Sequence, residues 1–552
     1  MEVHLADDTV KGNLFLKGWK LSLVTFSLSV GTFLVALDVN IIGVAIPKIT
    51  SVFDSLGDAA WYASTYLLTV TALQPTMGYL YKSFNVRLVY FTNVIIFEAG
   101  SVLCAAAPSS TLFILGRAIA GVGAAGLLQG ALAIITHIVE LERRPLFMGI
   151  VISVFGLSIC VGPVMGGAFV DSIGWRWCFW INLPIGAVAM ILLVLFLKVQ
   201  SVPNQYTSLS LRRKIANMDL IGTVTFLGAI CCLTLALQWG GQTKPWHSSQ
   251  IIGLFVGFGL LTIAFCCIQA RRGENALIPP RVLRQRSILV GSLYLFFVGM
   301  LVYVYSFYLP FYFQAVQDVL PITSGVRIIP FVLAEIILIG VTGAIASHTG
   351  HYVPFMVVGM VICCVGAGLV TRLDIDNPTA AWAAYLVIAG AGLGTAMQLP
   401  YTALQVVLSE ADVPIGNALF VFFNQLGGMI AIPIAQSLFL SKLRAEVTTL
   451  LPNFDPEIVI AAGAAELNEI AAGSKDVLLL LRTAYSSALR SPYILALSAS
   501  CIAAICVPAL EWRNIKTEAA ERREHDLKET LSGGQDGGEK TAEIREDVKE
   551  VV

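Results

Sequence analysis

The chain has 552 residues, of which 57% are hydrophobic and 13% charged, and its formal net charge is −1. A soluble domain carries about 25% charged residues, so there is too little charge here to coat the roughly three or four soluble domains that this length would suggest. The near-neutral balance gives no sign of a nucleic-acid partner, and lipid is the expected solvent.

After a polar start at 1–19, apolar runs of about 20 residues recur, the length needed to cross ~30 Å of hydrocarbon. They predict spans near 20–46, 59–81, 88–107, 110–138, 147–170, 179–199, 218–238, 250–270, 288–313, 325–346, 353–371, 381–407, 414–440 and 491–511. Only helices can satisfy the backbone in lipid, and no alternating strand pattern appears, so the fold class is an all-α membrane protein. The first run is long enough to span and is read as a span, not as a cleavable signal peptide.

Lys82, Arg87, Arg143, Arg144, Lys198, Arg212, Arg213 and Lys214, followed by Arg271, Arg272, Arg281, Arg284 and Arg286, all fall in loops on one side. By the positive-inside bias that side is cytosolic, together with both termini. Residues 20–200 thus form a first half, 201–217 a cytosolic loop, 218–270 two further spans, and 271–511 a second half. A hydrophilic segment at 441–490 is expected outside, with a surface helix around 458–473. Residues 512–552, rich in Glu, Lys, Asp and Gly, read as a disordered cytosolic tail. The eleven cysteines sit inside apolar segments and read as small hydrophobes.

Four ionisable residues fall within spans: Asp38, Glu98, Arg117 and Glu335. Each costs about 2.5–3.5 kcal/mol at a helix centre, so each should face a cavity or a partner. All four lie about nine or ten residues from the outer ends of their spans, roughly 14 Å at 1.5 Å per residue. Arg117 is too deep to reach water fully, and a carboxylate is its cheapest partner. Three acids for one arginine leave surplus carboxylate, which an inert ion pair would not need.

Span 1 ends Leu37-Asp38-Val39-Asn40-Ile41-Ile42-Gly43-Val44-Ala45-Ile46-Pro47, and span 4 reads Gly116-Arg117-Ala118-Ile119-Ala120-Gly121-Val122-Gly123. Span 5 carries Gly156 and then Gly162-Pro163-Val164-Met165-Gly166-Gly167, followed by Gly174-Trp175-Arg176-Trp177 and Asn182-Leu183-Pro184. This ordered set resembles the fourteen-span drug:proton antiporters of the major facilitator superfamily, in their fungal branch. The resemblance runs from about residue 24 to 511. It implies the major facilitator fold: two six-helix bundles with two inserted helices, a central substrate cavity and alternating access. It also implies a gating seam along span 5, with Gly121, Gly156, Gly162, Pro163, Gly166 and Gly167 as its motif residues. Proton coupling is expected at Asp38, Arg117, Glu98 and Glu335.

One motif departs from the family. Between spans 2 and 3 the superfamily usually has Gly-x-Leu-x-Asp-Arg-x-Gly-Arg, whereas this chain has Gly78-Tyr79-Leu80-Tyr81-Lys82-Ser83-Phe84-Asn85-Val86. The usual cytosolic charge lock is therefore in doubt, and Lys82 is expected to serve mainly the inside-positive bias. Gln129, Tyr305, Tyr308, Gln398, Asn424 and Gln425 are polar or aromatic groups within spans that could line a cavity.

No phosphate-binding Gly-Lys loop is present, so a nucleotide-driven pump is not expected, and with His137 as the one histidine clearly near a span, at an inner end, neither an enzyme nor a metal or other cofactor is expected. The expected function is proton-driven export of small organic molecules such as drugs, toxins or secondary metabolites, by a monomer in the plasma membrane. The vacuolar membrane is the alternative location. Rival readings are a vacuolar amino-acid or siderophore transporter of related fold, and a non-transporting membrane sensor.

Overall fold

The computed structural model describes residues 16–521, leaving out 17, 54–58, 198–218, 241–243, 274–275, 277, 320, 410–411, 453, 463–466, 472–473 and 519. Helices account for nearly all of the described residues. In the first half they are α1 (Gly18–Phe53), α2 (Ala59–Ser83), α3 (Val86–Ala106), α4 (Ser110–Ile138), α5 (Arg144–Ser172) and α6 (Asn182–Phe196). Then come α7 (Leu220–Trp239) and α8 (Ser249–Arg272), which form a hairpin. The second half holds α9 (Arg286–Phe311), α10 (Pro321–Thr349), α11 (Val353–Val370), α12 (Thr379–Ala396), α13 (Leu399–Val407), α14 (Val413–Leu450) and α15 (Lys475–Cys506). Eleven helical segments among the described residues are long and apolar enough to cross a membrane, and Ile221–Leu237 is a shorter apolar one.

Local chemistry sets the helix starts. Asn85, Ser109, Asp219 and Ser248 each cap a helix with a side-chain oxygen that accepts from backbone N–H groups of the first turn. The run expected as one span at 381–407 is broken after Ala396. Pro400 sits in the first turn of α13, where it has no N–H to continue the ladder from α12. The expected outer segment at 441–490 is shorter than anticipated, because α14 runs on to Leu450 and α15 starts at Lys475. Short helices at Pro456–Ala462 and Leu467–Ile470 lie between them, in place of one continuous surface helix.

Helices α1 to α6 pack as one bundle and α9 to α15 as another. The bundles meet where α5 packs on α10 and α13, and where α2 and α4 pack on α14. The hairpin leans on that second seam. Phe226, Ile230, Leu233 and Leu237 of α7 cluster with Ala72 of α2, Phe265 of α8, and Phe422 and Met429 of α14. Near the described ends of the chain, Leu16 N–H donates to Ile138 O and Ile515 N–H to Gly350 O, both at the end of the bundles that carries Lys82.

Candidate functional site

The first bundle encloses one buried ion pair. Arg117 Nη1 lies 2.5 Å from Asp38 Oδ2, and both side chains are 1% exposed. The rest of the guanidinium is also held. Its Nε donates to Tyr62 O at 2.8 Å, and its Cζ lies 4.4 Å from the Tyr66 ring and 5.9 Å from Phe179. The second carboxylate oxygen of Asp38 is buried with no hydrogen-bond partner. Two residues along α1, Asn40 donates to Ser158 Oγ of α5 at 3.0 Å. A Cβ at Gly162 would stand 2.7 Å from Asn40 Cβ, so the missing side chain lets α5 close on the helix that carries Asp38.

The other sequence candidates separate into groups. Glu98 is not bonded to Arg117: both of its oxygens are buried without partners, and Oε1 points at Gly186 of α6 beside Gly31, Leu34 and Tyr90. Glu335 lies on α10 at the seam between bundles, 5% exposed, with Oε2 3.5 Å from where a Cβ on Gly156 of α5 would stand. Gly121 faces Tyr66 O and Thr69, and so packs α4 on α2. Gly166 is buried and Gly167 half-buried on α5, while the side chain of Pro163 lies outside the described residues.

Gln129 is buried on α4 with neither side-chain atom bonded. Gln398, at the α12–α13 break, donates weakly to Ile339 O at 3.5 Å and lies against Gly149 of α5 across the seam. Asn424 donates to Leu295 O, and Gln425 accepts from Tyr303 OH. Tyr305 packs edge-to-face on Phe331 and Tyr493, and Tyr308 packs at a tilt against Phe311 and Phe439, all within the second bundle. The structure therefore brings together Asp38 and Arg117, and sets Glu335 against Gly156. Glu98 stands apart on the α6 side.

Lys82, expected to serve mainly the inside-positive bias, is instead buried against the opposite bundle. It is 3% exposed, and Nζ lies 2.8 Å from Asp412 Oδ1 at the start of α14, in the opposite bundle. Arg281 Nη2 reaches the other oxygen, Asp412 Oδ2, at 2.7 Å. Burial alone would raise the Asp412 carboxyl. The hydrogen bonds and charges of Lys82 and Arg281 outweigh it and hold the group below the ordinary aspartate value. A charge lock thus exists with its polarity reversed: the cation is on the first bundle and the acid on the second. Beside it, Arg144 Nη1 lies 3.5 Å from Gln405 Oε1, and Gln405 Nε2 lies 2.8 Å from Met148 Sδ. These contacts close the bundles at the Lys82 end.

Asp412 and Arg281 were missed because contacts 330 and 131 positions apart in sequence have no local signature. The one available signal was that the loop at 408–413 lacks Lys and Arg and carries acids instead.

The model of the Major Facilitator Superfamily matches residues 28–432. Among similar curated proteins, an MFS-type transporter astH of Aspergillus oryzae is 38% identical, covering 93% of this chain and 91% of its own length. Efflux pump aflT of Aspergillus parasiticus is 39% identical, with 93% and 99% covered. Efflux pump hmp6 of Hypomyces subiculosus is 42% identical, with 92% and 89% covered. Two solved structures share the fold at low identity. The human organic anion transporter MFSD10 superposes with a TM-score of 0.53 at 15% identity, covering 87% of this chain and 100% of that one. The proton:xylose symporter XylE gives 0.56 at 13%, covering 88% and 94%.

Proposed function

This chain belongs to the Major Facilitator Superfamily, and from that premise we propose that it exports small organic molecules of the drug, toxin or secondary-metabolite kind in exchange for protons. The membrane is the plasma membrane, crossed fourteen times, with both termini and the Lys82 end in the cytosol. The working unit is a monomer.

The observation that carries the reading is the buried Arg117–Asp38 pair, with one Asp38 oxygen left open. Protonating Asp38 removes the counter-charge of a guanidinium that is 1% exposed. A buried charge stripped of its partner costs about 3–5 kcal/mol. The bundle relieves that cost by a rearrangement that gives Arg117 water or another acid, and this ties proton binding to shape. The α1–α5 contact at Asn40, Ser158 and Gly162 relays the change to the helix that faces the second bundle. Glu335 waits there at the seam, and its hydration changes as α5 and α10 separate. Similarity to fungal proteins named as efflux pumps supports export as the direction.

The test is flux of a fluorescent drug in proteoliposomes under an imposed pH gradient. Wild-type protein should accumulate the drug when the gradient is present and lose that ability when a protonophore collapses it. Gradient-independent movement would reject proton coupling, and no movement across a wide drug panel would reject drug export.

A further inference from the structure

The α7–α8 hairpin belongs to neither bundle and is held together as one unit. Asp219 caps α7 by accepting from Gly222 N–H at 2.8 Å. The same carboxylate accepts from Gln269 Nε2 of α8 at 2.5 Å and pairs with Arg272 Nε at 3.3 Å. Farther along, the Phe226 and Phe265 rings lie 5.0 Å apart. This unit meets the first bundle where Thr223 Oγ1 lies 3.4 Å from Thr76 Oγ1 of α2, and where the Trp239 ring meets Trp61 edge-on at 6.3 Å. It meets the second bundle where the Phe226 ring lies 5.4 Å from Phe422 of α14, and where Thr234 Oγ1 donates to Met429 Sδ at 3.1 Å. Contacts with both bundles thus interleave along one helix, and α7 lies in the groove between α2 and α14.

Those two helices also carry the lock. Thr76 stands six residues before Lys82 and Phe422 ten after Asp412, roughly 9 and 15 Å at 1.5 Å per residue. Between them Gly78 draws α2 onto α14, since a Cβ there would stand 2.7 Å from Ala418 Cβ and 3.2 Å from Ile415 Cα. When α2 and α14 part at the Lys82 end, α7 can follow one of them and must leave the other, because a short side chain such as Thr223 or Phe226 cannot reach across a widening groove. The closed arrangement is the one in which both sets of contacts are made.

We propose that the hairpin is a brace on the lock: packed on α2 and α14 at once, it favours the closed Lys82 end, and its departure from one of the two is a step in opening. Phe226 is the central residue of the brace. Its ring packs on Phe422 of the second bundle and on Phe265 of the hairpin itself, in an apolar cluster that includes Ala72 of the first bundle. The brace needs no particular cargo, direction or proton. It rests only on the bundles parting at the Lys82 end, and its test reads a distance and not a flux.

The experiment uses the full chain in lipid nanodiscs, otherwise cysteine-free, with spin labels on Arg143→Cys and His351→Cys. Both positions are exposed at the Lys82 end, one on each bundle. Pulsed electron resonance reads the distance distribution between them. Lys82→Ala weakens the lock and is the reference, expected to add a longer distance. Phe226→Ala should do so with the lock intact, raising the long-to-short ratio roughly tenfold. Met429→Ala, on the other side of the contact, should raise it less. Phe226→Leu keeps most of the apolar bulk and should fall between wild type and Phe226→Ala; it decides the matter where the alanine variant does not fold. Val224→Ala, at a position 68% exposed away from the groove, should match wild type. Distances unchanged in both Phe226 variants, while Lys82→Ala lengthens them, would overturn the brace and leave the hairpin a passenger. An equal lengthening in Val224→Ala would overturn it too, since the contact with α14 would then not be the cause. No lengthening in any variant, Lys82→Ala included, would reject lock and brace together.

Discussion

Asp38→Asn keeps the size of the side chain and removes its charge, so Arg117 remains buried without an ionic partner. Expression near normal with proton-driven flux abolished is the expected result, measured in proteoliposomes alongside surface abundance. Full flux in a well-expressed Asn variant would remove Asp38 from the coupling step. Arg117→Lys keeps the charge but loses the planar fork that reaches Asp38 and Tyr62 O together. It should lower the rate and shift its pH dependence, and a pH profile identical to wild type would contradict this role. The depth of Arg117 in its span called for a carboxylate at the same level, and left both Asp38 and Glu98 open. Glu98 has the same depth and yet points to α6, because depth says nothing about which way around the helix a side chain faces. Tyr62 and Tyr66, which complete the surroundings of Arg117, carried no signal beyond being aromatic residues in an apolar run.

At the level of elements, two contacts decide how helices can move. Adding a methyl group in Gly162→Ala brings a carbon to 2.7 Å from Asn40 Cβ, with the α1 backbone close behind. Overpacking of this kind costs about 1–3 kcal/mol. The variant should lose several degrees of thermal stability and most of its flux, and an unchanged melting temperature would show that α1 and α5 give way easily. The lock between α2 and α14 makes a different prediction. Lys82→Ala removes one of the two cations bonded to Asp412, leaving Arg281 and the Ser409 hydroxyl, and should impair transport, whereas Lys82→Asp combined with Asp412→Lys should recover part of it. Failure of the swap to improve on both single variants would mean that charge pairing is not what matters there. Because Lys82 and Arg281 hold the Asp412 carboxyl below its ordinary value, the lock is fully formed above that ordinary value and is lost only as pH falls through the depressed one. Any pH dependence of flux near neutrality should therefore survive unchanged in the charge-swapped variant. The sequence showed the altered motif plainly. It could not show the compensation, which lies in the other half of the chain.

On the scale of the whole molecule, the structure is closed at the Lys82 end by contacts between bundles. A cysteine pair at Met148→Cys and Gln405→Cys, in an otherwise cysteine-free protein, could be bridged by a short cleavable bifunctional thiol reagent that ties α5 to α13, where the tips of the native side chains lie 2.8 Å apart. Crosslinking should stop transport and cleavage of the bridge should restore it. Transport that continues in the crosslinked protein would mean that this seam does not open during the cycle. The helical order was legible from hydrophobic runs, because lipid demands long apolar helices whatever the fold. The resting place of the α7–α8 hairpin was not. It depends on Phe226, Ile230, Leu233 and Leu237 finding Ala72 and Phe422 on two different bundles, and no periodicity within the hairpin encodes its neighbours.

The reversed lock also bears on ancestry and on chimera building. Lys82 lies in one half of the chain and Asp412 in the other, so loss of Asp412 takes an acid from the buried Lys82, while loss of Lys82 leaves Asp412 one of its two cations. Positions 82 and 412 should consequently change together among relatives. A hybrid that joins residues 1–200 of this chain to a second half lacking an acid at position 412 would carry the mismatch at its seam, however well each half folded by itself. Surveying relatives for whether positions 82 and 412 change together would show how long that pairing has constrained the family's recombination.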